Sequence, residues 1–150
     1  QALPRRIDVV TALHACDTAT DDAIDFALAR HARHIVLVPC CQAEMAAALR
    51  QHKAQLKNHA LSAFWQHPIH AREFGSHSTN VMRSLRLQAL GYKVTVTELV
   101  GWEHSMKNEL IIASLPTQPD RAGQERAAAQ LQTMLDSLGL PELQKRFAIV

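Results

Sequence analysis

The chain has 150 residues, 47% of them hydrophobic and 20% charged, with a formal net charge of +2. This composition fits one compact soluble domain, is too apolar for intrinsic disorder, and is not basic enough to imply nucleic-acid binding on charge alone. No apolar run approaches the roughly 20 residues that cross a bilayer, and no secretory signal pattern opens the sequence.

The chain opens on Gln1 and enters an apolar, β-branched run at Ile7 to Leu13 within a few residues, which reads as a cut chain. The run is short and turn-type residues follow it, so a parallel-sheet strand buried on both faces is expected. Residues 17–22 lead into a helix, with Thr20 as its N-cap and Asp21 and Asp22 in a first turn that favours carboxylates. His34 to Val38 is a second buried-type strand, stopped by Pro39. Gln42 to Lys57 is helical by composition. Ile69 to Leu90 is helical too, with a break expected near Gly75 and Ser76 and a stop at Gly91. Lys93 to Val100 alternates, Leu110 to Ala113 is apolar, and the turn-like segment between them predicts an antiparallel pair. Asp120 to Leu138 is an amphipathic helix with Ala128, Leu131, Leu135 and Leu138 inward, ended by Gly139. Alternation of strands and helices predicts an α/β fold with right-handed crossovers.

Ligands of open α/β sheets bind beyond the C-terminal ends of the parallel strands. Two loops qualify, His14-Ala15-Cys16-Asp17 and Pro39-Cys40-Cys41-Gln42. A third candidate is the hairpin turn with Trp102, Glu103, His104, Lys107 and Asn108. His14, Cys16, Cys40 and Cys41 are soft-metal ligand types. Their spacing fails both the tetrahedral C-x-x-C pattern and the zinc-deaminase pattern, so no metal site is expected. Three cysteines, two of them adjacent, fit a reduced cytoplasmic setting better than a disulfide framework. Cys40 and Cys41 sit between a strand end and a helix start, where a thiol can be activated; a free cysteine is equally a small buried hydrophobe. His14 and Asp17 could do acid–base or substrate-orienting work. Alternatively, His14 bonds backbone and Asp17 opens the helix-entry turn. His31, His52 and His59 read as surface groups.

The stretch ALHACDTATDDAI, Ala12 to Ile24, followed by LVPCCQ, Leu37 to Gln42, resembles the bacterial class I S-adenosylmethionine (SAM)-dependent methyltransferases of the methyltransferase domain 32 type. The stretch ELVGWEHSMKNELIIA, Glu98 to Ala113, resembles that family's closing hairpin. Any one segment alone would be weak; together they are fairly specific. The resemblance implies the C-terminal half of a Rossmann-like methyltransferase sheet: parallel strands plus a closing antiparallel hairpin, flanked by helices. Ile7 to Leu13 would be the fourth strand of seven, His34 to Val38 the fifth, and the hairpin the sixth and the antiparallel seventh. The domain expectation is a single partial domain over 1–150, with 7–114 holding these strands and 119–150 a C-terminal helical extension.

By the same resemblance, His14 and Asp17 would be catalytic, and His14, Ala15 and Cys16 would border the cofactor. Pro39, Cys40, Cys41, Gln42, Glu103, His104 and Asn108 would face the substrate. Asp17 fits the bacterial pattern, where eukaryotic relatives carry glycine, so the acceptor is not transferred from that branch. Relatives leave an RNA acceptor open beside protein and small-molecule ones, without a basic aromatic stripe to support it. The five glycines, at 75, 91, 101, 123 and 139, are unclustered. The glycine-rich cofactor turn of the family is therefore missing from this sequence. This part alone is expected to be inactive and to self-associate through residues 7–13. The competing expectations are a non-catalytic α/β assembly module and, further off, a zinc-dependent hydrolase.

Overall fold

The computed structural model describes residues 3–40, 42–100 and 108–149. They divide into two compact units, one from residues 1–41 and 91–120, the other from residues 42–90 and 121–150. Among the described residues no helix is long and apolar enough to cross a membrane.

The first unit is a four-stranded sheet with one helix packed on it. Its strands are β1 (Val9–Leu13), β2 (His34–Val38), β3 (Lys93–Glu98) and β4 (Glu109–Ser114), in the order β1-β2-β4-β3. β1 and β2 are parallel and joined by helix α1 (Ala19–Ala29). β4 runs antiparallel to both β2 and β3, so the antiparallel strand lies inside the sheet and β3 forms the edge. This mixed α/β arrangement is compatible with the Rossmann-like methyltransferase fold.

The sheet is held mainly by its two central strands. Ile35 and Leu37 of β2 are fully buried and sit opposite Ala113 and Ile111 of β4, which are buried as well. Such apolar cross-strand pairs fix register, because a slip by one residue would turn all of them outward. Helix α1 adds Ile24 and Ala27. It ends on His31 in the left-handed region, φ 51°, with the Ala32 N–H returning to the Ala27 carbonyl at 3.0 Å. That closes the last turn as a Schellman motif. The Tyr92 hydroxyl then donates to the Ala32 carbonyl at 2.6 Å, and burial raises the Tyr92 pKa.

β1 departs from expectation in length and in burial. It starts at Val9, because the Ile7 N–H points to the Arg30 carbonyl and β2 offers its first ladder partner only at His34. Of its five residues only Ala12 is buried, while Val9 and Leu13 are 50% and 61% exposed. β1 is an edge strand, and among the described residues no strand pairs with its outer side.

The second unit is helical. It contains α2 (Glu44–Gln51), a short 3-10 turn (Ser62–Trp65), α3 (Pro68–Ala89), α4 (Arg121–Leu138) and α5 (Pro141–Phe147). Its core joins Met45 and Leu49 of α2, Met82 and Leu85 of α3, Leu131 and Leu135 of α4, and Leu143 and Phe147 of α5. Helix α4 buries Ala127 rather than Ala128, which is half-buried; the inward stripe runs 127, 131, 135, 138. Helix α2 is shorter than expected. The Gln42 side chain accepts the Glu44 N–H at 2.7 Å and starts the helix there, and turns replace it after Gln51.

The expected break at Gly75 is absent, and α3 runs continuously from a proline suited to a first turn. Gly75 serves packing instead. A Cβ there would lie 3.1 Å from the Ala46 backbone nitrogen and 3.3 Å from the Met45 Cβ, so the glycine lets α2 and α3 approach closely. Two histidines expected at the surface carry contacts in this unit. His52 Nε2 lies 3.0 Å from Glu142 Oε1, and His59 Nε2 lies 3.0 Å from Ser137 Oγ. Glu142 is held below the usual carboxylate pKa by its backbone hydrogen bond and then by His52.

Candidate functional site

The C-terminal edge of the parallel pair is where the sequence places its chemistry. The ladder runs in register to Leu13↔Val38, and the His14 N–H extends it by one bond to the Val38 carbonyl at 2.8 Å. Both loops therefore leave the sheet side by side: His14 to Asp17 after β1, and Pro39 and Cys40 after β2. Since β4 is antiparallel to β2, it begins at this same edge, which brings Asn108 there too.

The first loop is built tightly. His14 and Asp17 both adopt left-handed backbone, φ 53° and 52°. This region disfavours most side chains and is tolerated best by Asn, Asp and His among non-glycine residues. Such conformations persist only where surrounding bonds hold them, and they gather at functional sites. Here the bonds are visible. Thr20 is fully buried, and its hydroxyl donates to the Ala15 carbonyl at 2.8 Å. The Ala19 N–H reaches the Cys16 carbonyl at 3.1 Å. Cys16 Sγ lies 3.8 Å from the His14 carbonyl.

Thr20 is therefore not the N-cap that the sequence suggests. Thr18 occupies that position without a side-chain bond, and Thr20 sits in the first turn as a strut for the loop. Its pattern resembles a cap in sequence, since both uses place a hydroxyl at a helix start. His14 and Cys16 are exposed, and Ala15 and Asp17 are half-buried. The loop thus presents an imidazole, a thiol and a carboxylate on a braced backbone at the start of α1, whose dipole favours negative charge.

The other candidates divide. Pro39 is buried and Cys40 half-buried at the end of β2. Asn108 is buried, and its side-chain amide donates to the Val100 carbonyl while its own carbonyl accepts the Leu99 N–H at 2.8 Å. That gives Asn108 a part in closing the base of the hairpin. Gln42 belongs to the second unit, where it starts α2; its Nε2 is buried with no partner among the described residues. Cys41, Glu103 and His104 lie outside the described residues. Among the described residues no group of three or more His, Cys, Asp or Glu could hold a metal ion.

An open α/β sheet with two loops delivered to the C-terminal edge of its parallel strands defines a ligand-binding class of fold. Sequence comparison adds a partial match. Residues 1–48, about a third of the chain, match a family model described as a methyltransferase domain. The matched span contains both loops, β1, α1 and β2. The stretch Glu98 to Ala113, which resembles the same family by its motif, lies outside that span. Comparisons with curated proteins and with solved structures gave no match.

Proposed function

We infer that this chain is the acceptor-facing portion of a SAM-dependent methyltransferase. The observation that carries the reading is the paired exit of the two loops, with the His14 N–H bonded to the Val38 carbonyl. The edge suits only the methyl-bearing end of SAM. The first-unit loop is braced, with His14 and Cys16 exposed and Asp17 half-buried, yet neither loop after β1 or β2 contains a glycine that would admit the rest of the cofactor to the backbone. When bound, SAM supplies an electrophilic methyl group on a sulfonium. His14, Ala15 and Cys16 would border that end. Asp17, helped by His14, orients the acceptor and takes its proton as the nucleophile forms. Pro39 and Cys40 form the neighbouring wall.

On this reading the glycine-rich half comes from elsewhere in the same polypeptide, and the acceptor stays open among RNA, protein and small molecules. Transfer of tritium from methyl-labelled SAM tests it, together with calorimetry. The complete polypeptide is expected to transfer label, and the 150-residue chain to show no SAM binding at micromolar concentration. A micromolar dissociation constant for the 150-residue chain alone would mean that the cofactor site lies within it and has been misplaced.

A second reading, assembly through β1, is favoured by the open outer side of that strand. An apolar unpaired edge recruits another strand. The 150-residue chain is then a dimer paired across residues 7–13, and changing Val9 and Leu13 to lysine makes it monomeric. Sedimentation velocity reads both states; a wild-type monomer at high concentration would remove this reading.

A further inference from the structure

The helical unit holds a cleft of about 740 Å³ with no part in the reading above. Such a volume lies within the range of small-molecule and nucleotide sites. Its rim carries Arg50 at the end of α2 and Lys53 and Lys57 in the turns that follow. Trp65, from the 3-10 turn, lines it, with Ala63 and Pro68 beside. No carboxylate is among its described lining residues.

Arg50 alone would have a simple explanation, because a cation in the last turn of a helix compensates its terminal carbonyls. Lys53 and Lys57 lie in the turns beyond that helix, and Lys57 is too far along to share that role. All three side chains are exposed, and none is held by an ion pair or hydrogen bond among the described residues. Three uncompensated cations around one cavity repel one another, an arrangement that an anion relieves.

The indole narrows the identity of that anion. Trp65 is half-buried and braced by His59 and Phe74, with ring centroids 5.1 and 5.3 Å away. A braced aromatic beside a row of cations matches the two requirements of single-stranded nucleic acid: a stacking surface for a base and charges that follow the phosphates. An acidic peptide would use the cations and leave the indole idle.

We propose that this cleft binds single-stranded nucleic acid, with Arg50, Lys53 and Lys57 on successive phosphates and Trp65 against a base. The proposal does not depend on the methyltransferase reading. It also locates a basic and aromatic grouping that net charge and linear pattern do not reveal.

Fluorescence anisotropy of short labelled oligonucleotides, RNA and DNA of one sequence, tests it on the 150-residue chain. The double variant Lys53→Glu, Lys57→Glu changes two exposed side chains and keeps the thermal melt. It should bind at least about tenfold more weakly, and its logarithmic salt slope should fall by about 1.4. Trp65→Leu should weaken binding by about tenfold with the salt slope unchanged. Unaltered affinity in the double variant overturns the proposal. So does equal affinity for a polyglutamate or heparin competitor, which would show capture of any polyanion without a base.

Discussion

In the complete polypeptide, Asp17→Asn is expected to lower kcat for methyl transfer by about a hundredfold or more, with little change in KM for SAM. The substitution is chosen for its backbone. Asp17 sits at φ 52°, and asparagine tolerates that region as aspartate does, whereas alanine would add strain to the loop. The variant therefore removes the carboxylate proposed to accept the proton and keeps the conformation. Loss of a positioned general base lowers rates by about a hundred- to ten-thousandfold. His14→Asn, at φ 53°, is the matched comparison and should cost less if His14 only orients. Steady-state kinetics with a thermal melt on each variant decides the matter. An Asp17→Asn enzyme with full kcat would remove Asp17 from the chemistry.

Phe147→Ala is expected to destabilise the helical unit by about 3–5 kcal/mol in urea unfolding followed by circular dichroism. Phe147 is 1% exposed and closes the core at the end of α5, packed with Leu143 and the inward residues of α4. Truncation loses the transfer energy of the ring and leaves a cavity that fixed helices cannot fill. Phe64→Ala provides contrast. That ring is 57% exposed, and surface substitutions stay within about 0.5 kcal/mol. A Phe147→Ala loss below about 1 kcal/mol would show that α5 is not an integral part of the core.

Much of the fold is legible in the sequence where local chemistry and tertiary role coincide. β2 falls at its expected bounds because a β-branched run is stopped by proline. α3 and α4 stop just before Gly91 and Gly139, whose positive φ values of 99° and 60° favour glycine. β1 shows the limit. Its apolar run is that of a buried strand, and only the sheet order reveals that one side is open. Gly75 misleads for a related reason, since a helix breaker and a packing contact look alike in one dimension. At the site, the loop motifs place His14 to Asp17 and Pro39 and Cys40 at one edge, as the parallel register does. The strut role of Thr20 follows from where the loop carbonyl points, which no spacing rule gives. The cleft at Trp65 is invisible in the sequence, because its walls come from α2, the turns after it, the 3-10 segment and α3.

The placement of β4 between β2 and β3 has a consequence for the birth of the protein. The hairpin of β3 and β4 closes locally, but β2 must wait for a partner far along the chain; the bond between His34 and Ser114 spans 80 residues. Local contacts form fast, whereas such long-range pairing first has to overcome loop-closure entropy. On the ribosome, Glu109 emerges 71 residues after Val38, a delay of roughly 4 to 14 s at ordinary synthesis rates. Throughout that interval the margin of β2 that β4 will cover stays unpaired, an open strand edge. Nascent-chain capture by chaperones should accordingly peak before residue 109 appears and fall once the hairpin has docked.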